Sequence, residues 1–138
     1  MKKIFLLSFL MFSLFSCSVS DDTQSFSTEI LPIESVTIPE EFQFGQVYEI
    51  SVTYFRPSGC HIFNNFYYEI NENERIVAVI NTVYEDSSCE TFAPEENEVE
   101  VSFNFQVNSI DTYTFKFFQG QDDNGNDLYY IVEVPVVQ

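Results

Sequence analysis

Cys60 and His61 are adjacent, and a thiol beside an imidazole is the side-chain combination of a nucleophilic catalyst. Neighbouring residues on an extended chain point to opposite sides, so we do not expect the two groups to react together. Acid–base catalysis needs one carboxyl group in an apolar pocket, whereas the acidic pairs at 40–41, 95–96 and 122–123 lie in polar, turn-like stretches. The chain also lacks Gly-x-Ser-x-Gly, His-Glu-x-x-His and glycine-rich phosphate motifs. The sequence therefore predicts a protein that is not an enzyme.

The segment DDNGND is a candidate calcium site, because calcium binds carboxylate and amide oxygens. The oxygen-bearing side chains there belong to Asp122, Asn124, Asn126 and Asp127. The glycine is fourth in the segment and no glutamate follows at EF-hand spacing, whereas Asn-Gly is typical of a hairpin turn. We favour the turn. A single histidine and the absence of clustered cysteines argue against zinc, and no cofactor is predicted.

The first 16 residues have the pattern of a secretory signal peptide: two lysines, an apolar run of about a dozen residues, and a small residue at its end. This run is shorter than the roughly 20 apolar residues that span a membrane. Leu14-Phe15-Ser16-Cys17 resembles the lipobox of bacterial lipoproteins. The resemblance implies cleavage before Cys17, lipid on its thiol and anchoring to the cell envelope. The expected location is the outer membrane, with the domain at the cell surface or on the periplasmic side. An ordinary secreted protein is the alternative.

Cys60 and Cys89 remain as an even pair if Cys17 carries lipid. Exported proteins fold where disulfides persist, so we predict a Cys60–Cys89 bridge, with free thiols as the alternative. A hairpin turning at Glu72-Asn73 would place Cys60 opposite residue 85, close to Cys89. The bridge would then join the two long loops at the open end of that hairpin.

The formal net charge of the chain is −17. Removal of the signal peptide leaves Arg56, Arg75 and Lys116 against 22 acidic residues. Phosphate backbones are bound by clustered lysines and arginines, so this composition excludes nucleic acid as a partner. Anionic lipid headgroups would also repel the domain, which leaves the lipid anchor as the predicted membrane contact.

Alternating apolar and polar residues predict strands over Val47–Phe55, Val99–Val107, Thr112–Phe117 and Leu128–Val137. A short first strand is predicted at Ile33–Ile38, and residues 17–32 are predicted to be a flexible tether because they are polar and lack a period. We therefore expect an all-β domain over residues 33–138, with about seven strands arranged as a β-sandwich.

The stretch SIDTYTFKF (109–117) resembles the approach to strand F of immunoglobulin-like domains, with Tyr113 placed as in a tyrosine corner. The resemblance extends loosely over residues 33–137 and implies an immunoglobulin-like sandwich. The chain has no Trp, and neither corresponding core strand carries a Cys, so the resemblance concerns architecture.

The chain contains 16 Phe and 8 Tyr, and some strands carry rings on both faces. One face fills the core, so we predict that Tyr67, Phe118 and Tyr129 belong to a ligand surface, unless a loop or the tether covers them. Exposed rings bind sugars or protein partners. The predicted function is that of a non-catalytic interaction module for a protein or a glycan. The alternative is a structural envelope lipoprotein without a specific ligand, and the oligomeric state is left open.

Overall fold

The computed structural model describes residues 24–138, which form an all-β fold of ten strands without a helix. The strands are β1 (Phe26–Leu31), β2 (Ser35–Thr37), β3 (Phe42–Gln43), β4 (Val47–Phe55), β5 (His61–Asn71), β6 (Glu74–Tyr84), β7 (Glu98–Gln106), β8 (Tyr113–Gln121), β9 (Asp127–Val134) and β10 (Val136–Val137). The predicted signal peptide (residues 1–16) and the predicted lipidation site Cys17 lie outside the described residues.

Two main sheets enclose the core, and this arrangement is consistent with a β-sandwich. The larger sheet contains β1, β5, β6, β8 and β9, and the smaller sheet has the order β2-β4-β7. β6 is the central strand of the larger sheet. β5 pairs along one side of it, while β1 and β8 share the other side. β6 and β8 run parallel because the chain crosses to the smaller sheet as β7 and then returns.

The predicted alternation of strand faces is confirmed by burial. Tyr113, Phe115 and Phe117 on β8 are fully buried, as are Ile50 and Tyr54 on β4. Their intervening neighbours face outward or are half-buried. Phe42 on β3 lies at the centre, with its ring 4.9–6.1 Å from the rings of four aromatic neighbours: Tyr48, Phe105, Tyr113 and Phe115. Burial of these large side chains is the main stabilising contribution to the fold.

The tether prediction is wrong for residues 26–31, which form β1 and pair antiparallel with residues 79–84 of β6. Only Leu31 of this strand is buried, and its sequence FSTEIL shows no alternation of apolar and polar residues, so it carries no strong local signal. Its backbone hydrogen bonds come from a strand about 50 positions later, which a local pattern cannot reveal. The prediction of about seven strands is likewise too low, because β1 and the two-residue strand β3 were not anticipated and the predicted strand Leu128–Val137 is divided at Pro135 into β9 and β10.

Both predicted hairpin turns are present. Asn71 pairs with Glu74, so Glu72 and Asn73 form the β5–β6 turn. A β-bulge between Phe63 and Asn65 shifts the register by one residue. As a result, the Cys60 carbonyl accepts a hydrogen bond from Tyr84 N at 3.2 Å, instead of lying opposite residue 85. The second turn contains Asn124-Gly125 and joins β8 to β9.

The Tyr113 hydroxyl ties the start of β8 to the segment that precedes it. It accepts hydrogen bonds from the backbone N–H of Asn108 (3.1 Å) and Ser109 (2.9 Å), and it donates to Asn108 Oδ1 (2.8 Å). This fully buried phenol therefore has its hydrogen-bonding groups satisfied. Its bonds to backbone four and five residues upstream are those of a tyrosine corner.

Candidate functional site

The structure brings Tyr67, Phe118 and Tyr129 together in one groove on the outer face of the larger sheet. We call it the outer groove; its volume is about 550 Å³. It is lined by residues from five strands: Ile30, Tyr67, Glu69, Ile76, Ala78, Phe118, Gln121, Asp127 and Tyr129. All three aromatic residues singled out in the sequence thus share one surface.

Strand register explains the convergence. Tyr67 pairs with Ala78 across β5 and β6, and Phe118 pairs with Tyr129 across β8 and β9. Val77 pairs with Phe117, so the next residues, Ala78 and Phe118, lie side by side on the outer face. The small Ala78 side chain, 3% exposed, forms a low floor between larger neighbours. The rings come from strands on both sides of β6 and become walls of the groove.

Two carboxylates hold the tyrosine hydroxyls of the groove. Tyr67 donates to Glu69, Tyr129 donates to Asp127 Oδ2 at 3.2 Å, and Gln121 Nε2 donates to Asp127 Oδ1 at 2.8 Å. The hydrogen bond to Glu69 and its negative charge raise the pKa of Tyr67. Partial burial, followed by the charge of Asp127, raises the pKa of Tyr129. Both phenols therefore remain neutral donors to the carboxylates, which orient the rings.

Glu69 and Gln121 were not singled out in the sequence, although one signal was present. Glu69 lies two positions after Tyr67 and therefore on the same strand face. Its proximity to Tyr129 depends on the order of strands in the sheet, which the local pattern does not contain. The resulting surface combines flat apolar rings with carboxylate and amide oxygens that can accept hydrogen bonds.

The candidate calcium segment forms the turn between β8 and β9. Asp122 accepts hydrogen bonds from Asn124 N (2.8 Å), Asn126 N (2.9 Å) and Asn126 Nδ2 (2.9 Å). These bonds, those of Asn126 foremost, lower the pKa of Asp122. Gly125 has φ 80°, in the left-handed region that glycine adopts without strain. Asp127 accepts hydrogen bonds from Gln121 and Tyr129, so Asp122, Asn126 and Asp127 all make hydrogen bonds within the β8–β9 hairpin.

His61 lies at the centre of a hydrogen-bonded chain that the sequence did not reveal. Its Nδ1 is 2.8 Å from Ser58 Oγ and its Nε2 is 2.8 Å from Glu29 Oε2. Serine, histidine and acid in this order resemble a hydrolase triad. Hydrolysis also needs free donors for an oxyanion, but the N–H groups of the next three residues are already bonded: Gly59 to Glu90 O, Cys60 to Ser58 Oγ and His61 to Ser58 O. This series of hydrogen bonds links β1 to the loop before β5.

The predicted disulfide is present between Cys60 and Cys89, whose Cα atoms are 5.5 Å apart. It consumes the thiol beside His61, so the adjacent pair has no free nucleophile. Around it, Gly59 N donates to Glu90 O and Phe92 N donates to Pro57 O, both at 2.9 Å. The disulfide thus joins the loop before β5 to the loop before β7.

Within residues 24–138, no group of three or more His, Cys, Asp or Glu side chains is placed to hold a metal ion. The same part of the chain contains no helix that is long and apolar enough to cross a membrane. Comparison with protein-family models, with curated proteins and with solved structures finds no match to this chain. The functional argument therefore depends on the geometry of its own residues.

Proposed function

We propose that this chain is a lipid-anchored protein of the bacterial cell envelope, with a non-catalytic, immunoglobulin-like β-sandwich that binds a neutral glycan. The observation that carries the binding proposal is the convergence of Tyr67, Phe118 and Tyr129 with two carboxylates in the outer groove. Sugar rings present apolar C–H faces that stack on aromatic rings, and their hydroxyls donate to carboxylates.

The charge of the protein favours a neutral ligand. A formal net charge of −17 repels acidic polysaccharides and nucleic acids. Inside the groove, Glu69 and Asp127 would repel an anion directly, while each carboxylate offers lone pairs to sugar hydroxyls. A protein partner with hydroxyl-rich or basic side chains is the second candidate for the same surface.

The tyrosine corner at Tyr113 supports the immunoglobulin-like assignment, because its hydroxyl binds backbone four and five residues upstream at the start of β8. The pairing of β4 with β7 also fits the B–E pairing of immunoglobulin-type sheets. The parallel pairing of β6 with β8 departs from their antiparallel sheets. We therefore propose a related sandwich with its own strand order.

The lipid anchor is tested by Cys17→Ser. We expect wild-type protein in the membrane fraction, and the variant in the soluble fraction or retained as uncleaved precursor, because one site carries the acyl chains that provide stable anchoring. Immunoblotting of fractions measures this, and an impermeant protease on intact cells distinguishes surface from periplasm. Wild-type protein found soluble in the medium would contradict the anchor.

The groove is tested by titrating the protein with neutral oligosaccharides of glucose, xylose and mannose while recording amide chemical shifts by NMR. Tyr67→Ala and Tyr129→Ala should each weaken binding about tenfold, corresponding to about 1.4 kcal/mol for one lost stacking contact. Tyr130→Ala is the matched control, because Tyr130 is similarly exposed on β9 but does not line the groove. Equal losses in all three variants, or no binding by wild type, would contradict glycan recognition by this groove.

A further inference from the structure

A second cavity opens between the two sheets, where the edge strand β5 of the larger sheet faces the edge strand β7 of the smaller one. We call it the edge pocket; its volume is about 430 Å³. Its walls include the rings of Phe66, Tyr68 and Phe103, with the amides of Asn104 and Gln106 at the β7 side. Phe103 lies 5.0 Å from Phe66 and 5.8 Å from Tyr68, between ring centroids. The edge pocket shares no lining residue with the outer groove.

Arg75 lines this pocket and is only 5% exposed. Its Nη1 donates to the carbonyls of Glu72 (2.7 Å) and Glu74 (2.8 Å), which uses both of that nitrogen's hydrogens. The guanidinium carbon lies 5.1 Å from the ring centroid of Tyr113 and 5.8 Å from that of Phe105. These contacts hold the guanidinium group in place, and the Tyr68 hydroxyl lies within hydrogen-bonding reach of it. Among the described residues, no carbonyl or carboxylate accepts a hydrogen bond from its Nε or Nη2.

The charge of Arg75 is not balanced by a carboxylate. No Asp or Glu oxygen within the described residues lies within 4.0 Å of its guanidinium, whereas Lys116 pairs with Glu74 at 2.6 Å. An arginine remains protonated at all ordinary pH values, and a buried charge without a counter-ion costs free energy. Two carbonyls and two ring faces offset part of that cost. They do not supply a negative charge.

The Tyr68 hydroxyl is a second polar group at the pocket. Burial raises the pKa of Tyr68, while the positive charge of nearby Arg75 and a hydrogen bond with it offset part of the rise. The phenol is therefore neutral and can donate its proton to an anion held by Arg75. The side-chain amides of Asn104 and Gln106 can also donate at the rim.

We propose that the edge pocket binds a carboxylate carried on an apolar body, such as the C-terminal residue of a hydrophobic peptide or a small aryl acid. The N–H groups of Arg75 that do not bond to carbonyls, together with the Tyr68 hydroxyl, can bind the two oxygens of a carboxylate, and the aromatic walls would contact the apolar part. One guanidinium balances one negative charge, and the acidic surface disfavours polyanions. This site is independent of glycan binding in the outer groove.

The test is a titration of the disulfide-bonded full chain with N-acetyl-phenylalanine, followed by amide chemical shifts. N-acetyl-phenylalanine amide is the matched ligand, because it keeps the ring and loses the charge; we expect it to bind at least tenfold more weakly. A parallel titration with 3-phenylpropionate distinguishes the two possible sources of the carboxylate. Preference for N-acetyl-phenylalanine indicates a peptide C-terminus, and preference for 3-phenylpropionate indicates a small acid.

Three variants assign the binding to this pocket. Arg75→Lys keeps the charge but loses the paired donors, and should weaken binding at least fivefold. Tyr68→Phe removes one donor and should weaken it about threefold. Asn104→Trp places a bulky side chain at the rim and should block binding, whereas Glu100→Trp lies on the same strand outside the pocket and should not.

Equal binding of the acid and the amide would overturn the proposal. Glucuronate bound as tightly as N-acetyl-phenylalanine would also overturn it, because the apolar walls would then contribute nothing. If Arg75→Lys does not fold, the Tyr68→Phe and Asn104→Trp variants still decide the result. Tyr129→Ala should leave acid binding unchanged, so failure of this site and failure of the glycan site give different outcomes.

Discussion

Removal of the Cys60–Cys89 disulfide is expected to lower the free energy of unfolding by about 3–4 kcal/mol, because the bridge closes a loop of roughly 30 residues in the unfolded chain. For a domain of this size, that loss corresponds to a fall in Tm of roughly 10–20 °C. A Cys60→Ala/Cys89→Ala double variant, followed by thermal unfolding with circular dichroism, measures the effect.

The local loss of order after removal of the disulfide should be confined to the end of the molecule that contains it. Arg56 Nη2 donates to Asn97 Oδ1 at 3.0 Å and its guanidinium lies over the Phe92 ring, 5.6 Å from the ring centroid. These contacts and the backbone bonds around Gly59 keep some order without the bridge. We therefore expect faster hydrogen exchange over residues 56–63 and 85–98, while the core strands β4 and β8 remain protected.

Reductant supplies the control for this prediction. Wild-type protein should lose stability when reduced, and the double variant should show no further change, since it has no bridge to break. A wild-type Tm that does not respond to complete reduction would contradict the stabilising role of the disulfide.

Phe115→Ala is expected to destabilise the fold by about 3–5 kcal/mol, the usual cost of removing a fully buried phenyl ring. Phe115 lies on β8 between the sheets, with its ring centroid 5.1 Å from that of Phe105 and 5.8 Å from that of Phe117. Such a loss is a large share of the 5–15 kcal/mol that stabilises a typical domain. Urea unfolding, fitted for both midpoint and slope, measures it.

Phe44→Ala is the matched control, because Phe44 is 50% exposed and the same atoms are removed from the surface. Its free energy of unfolding should change by less than about 0.5 kcal/mol. Phe115→Leu, which keeps most of the apolar volume, should cost about 1 kcal/mol. Similar losses for Phe44→Ala and Phe115→Ala would contradict the placement of Phe115 at the centre of the core.

The two proposed binding sites use different parts of the same architecture. The outer groove lies on one face of the larger sheet, where neighbouring strands place side chains at fixed spacing. The edge pocket lies where the two sheets separate at β5 and β7, which allows a charged side chain to stay buried yet open to a ligand. Both sites share a framework of hydrogen-bonded strands that positions the rings.

Some properties of this protein follow from local sequence alone. The alternation in Val47–Phe55 determines a strand with Ile50 and Tyr54 inward, since side chains on a strand point to opposite faces in turn. The Asn124-Gly125 pair determines a hairpin turn, because tight hairpin turns need positive φ angles and Gly125 adopts one (φ 80°). The Cys60–Cys89 bridge could be predicted from the sequence, because the register of one hairpin brings the segments before and after it close together.

Only the tertiary structure decided the rest, because it depends on which distant strands become neighbours. β1 exists through its pairing with β6, and this pairing also brings Glu29 to His61. Tyr67 and Tyr129 are separated by about 60 positions, and the order of strands places them in one groove. Arg75 occurs in an ordinary turn-flanking position of the sequence. Packing of the two sheets buries its guanidinium among rings without a carboxylate beside it, and no local pattern contains that information.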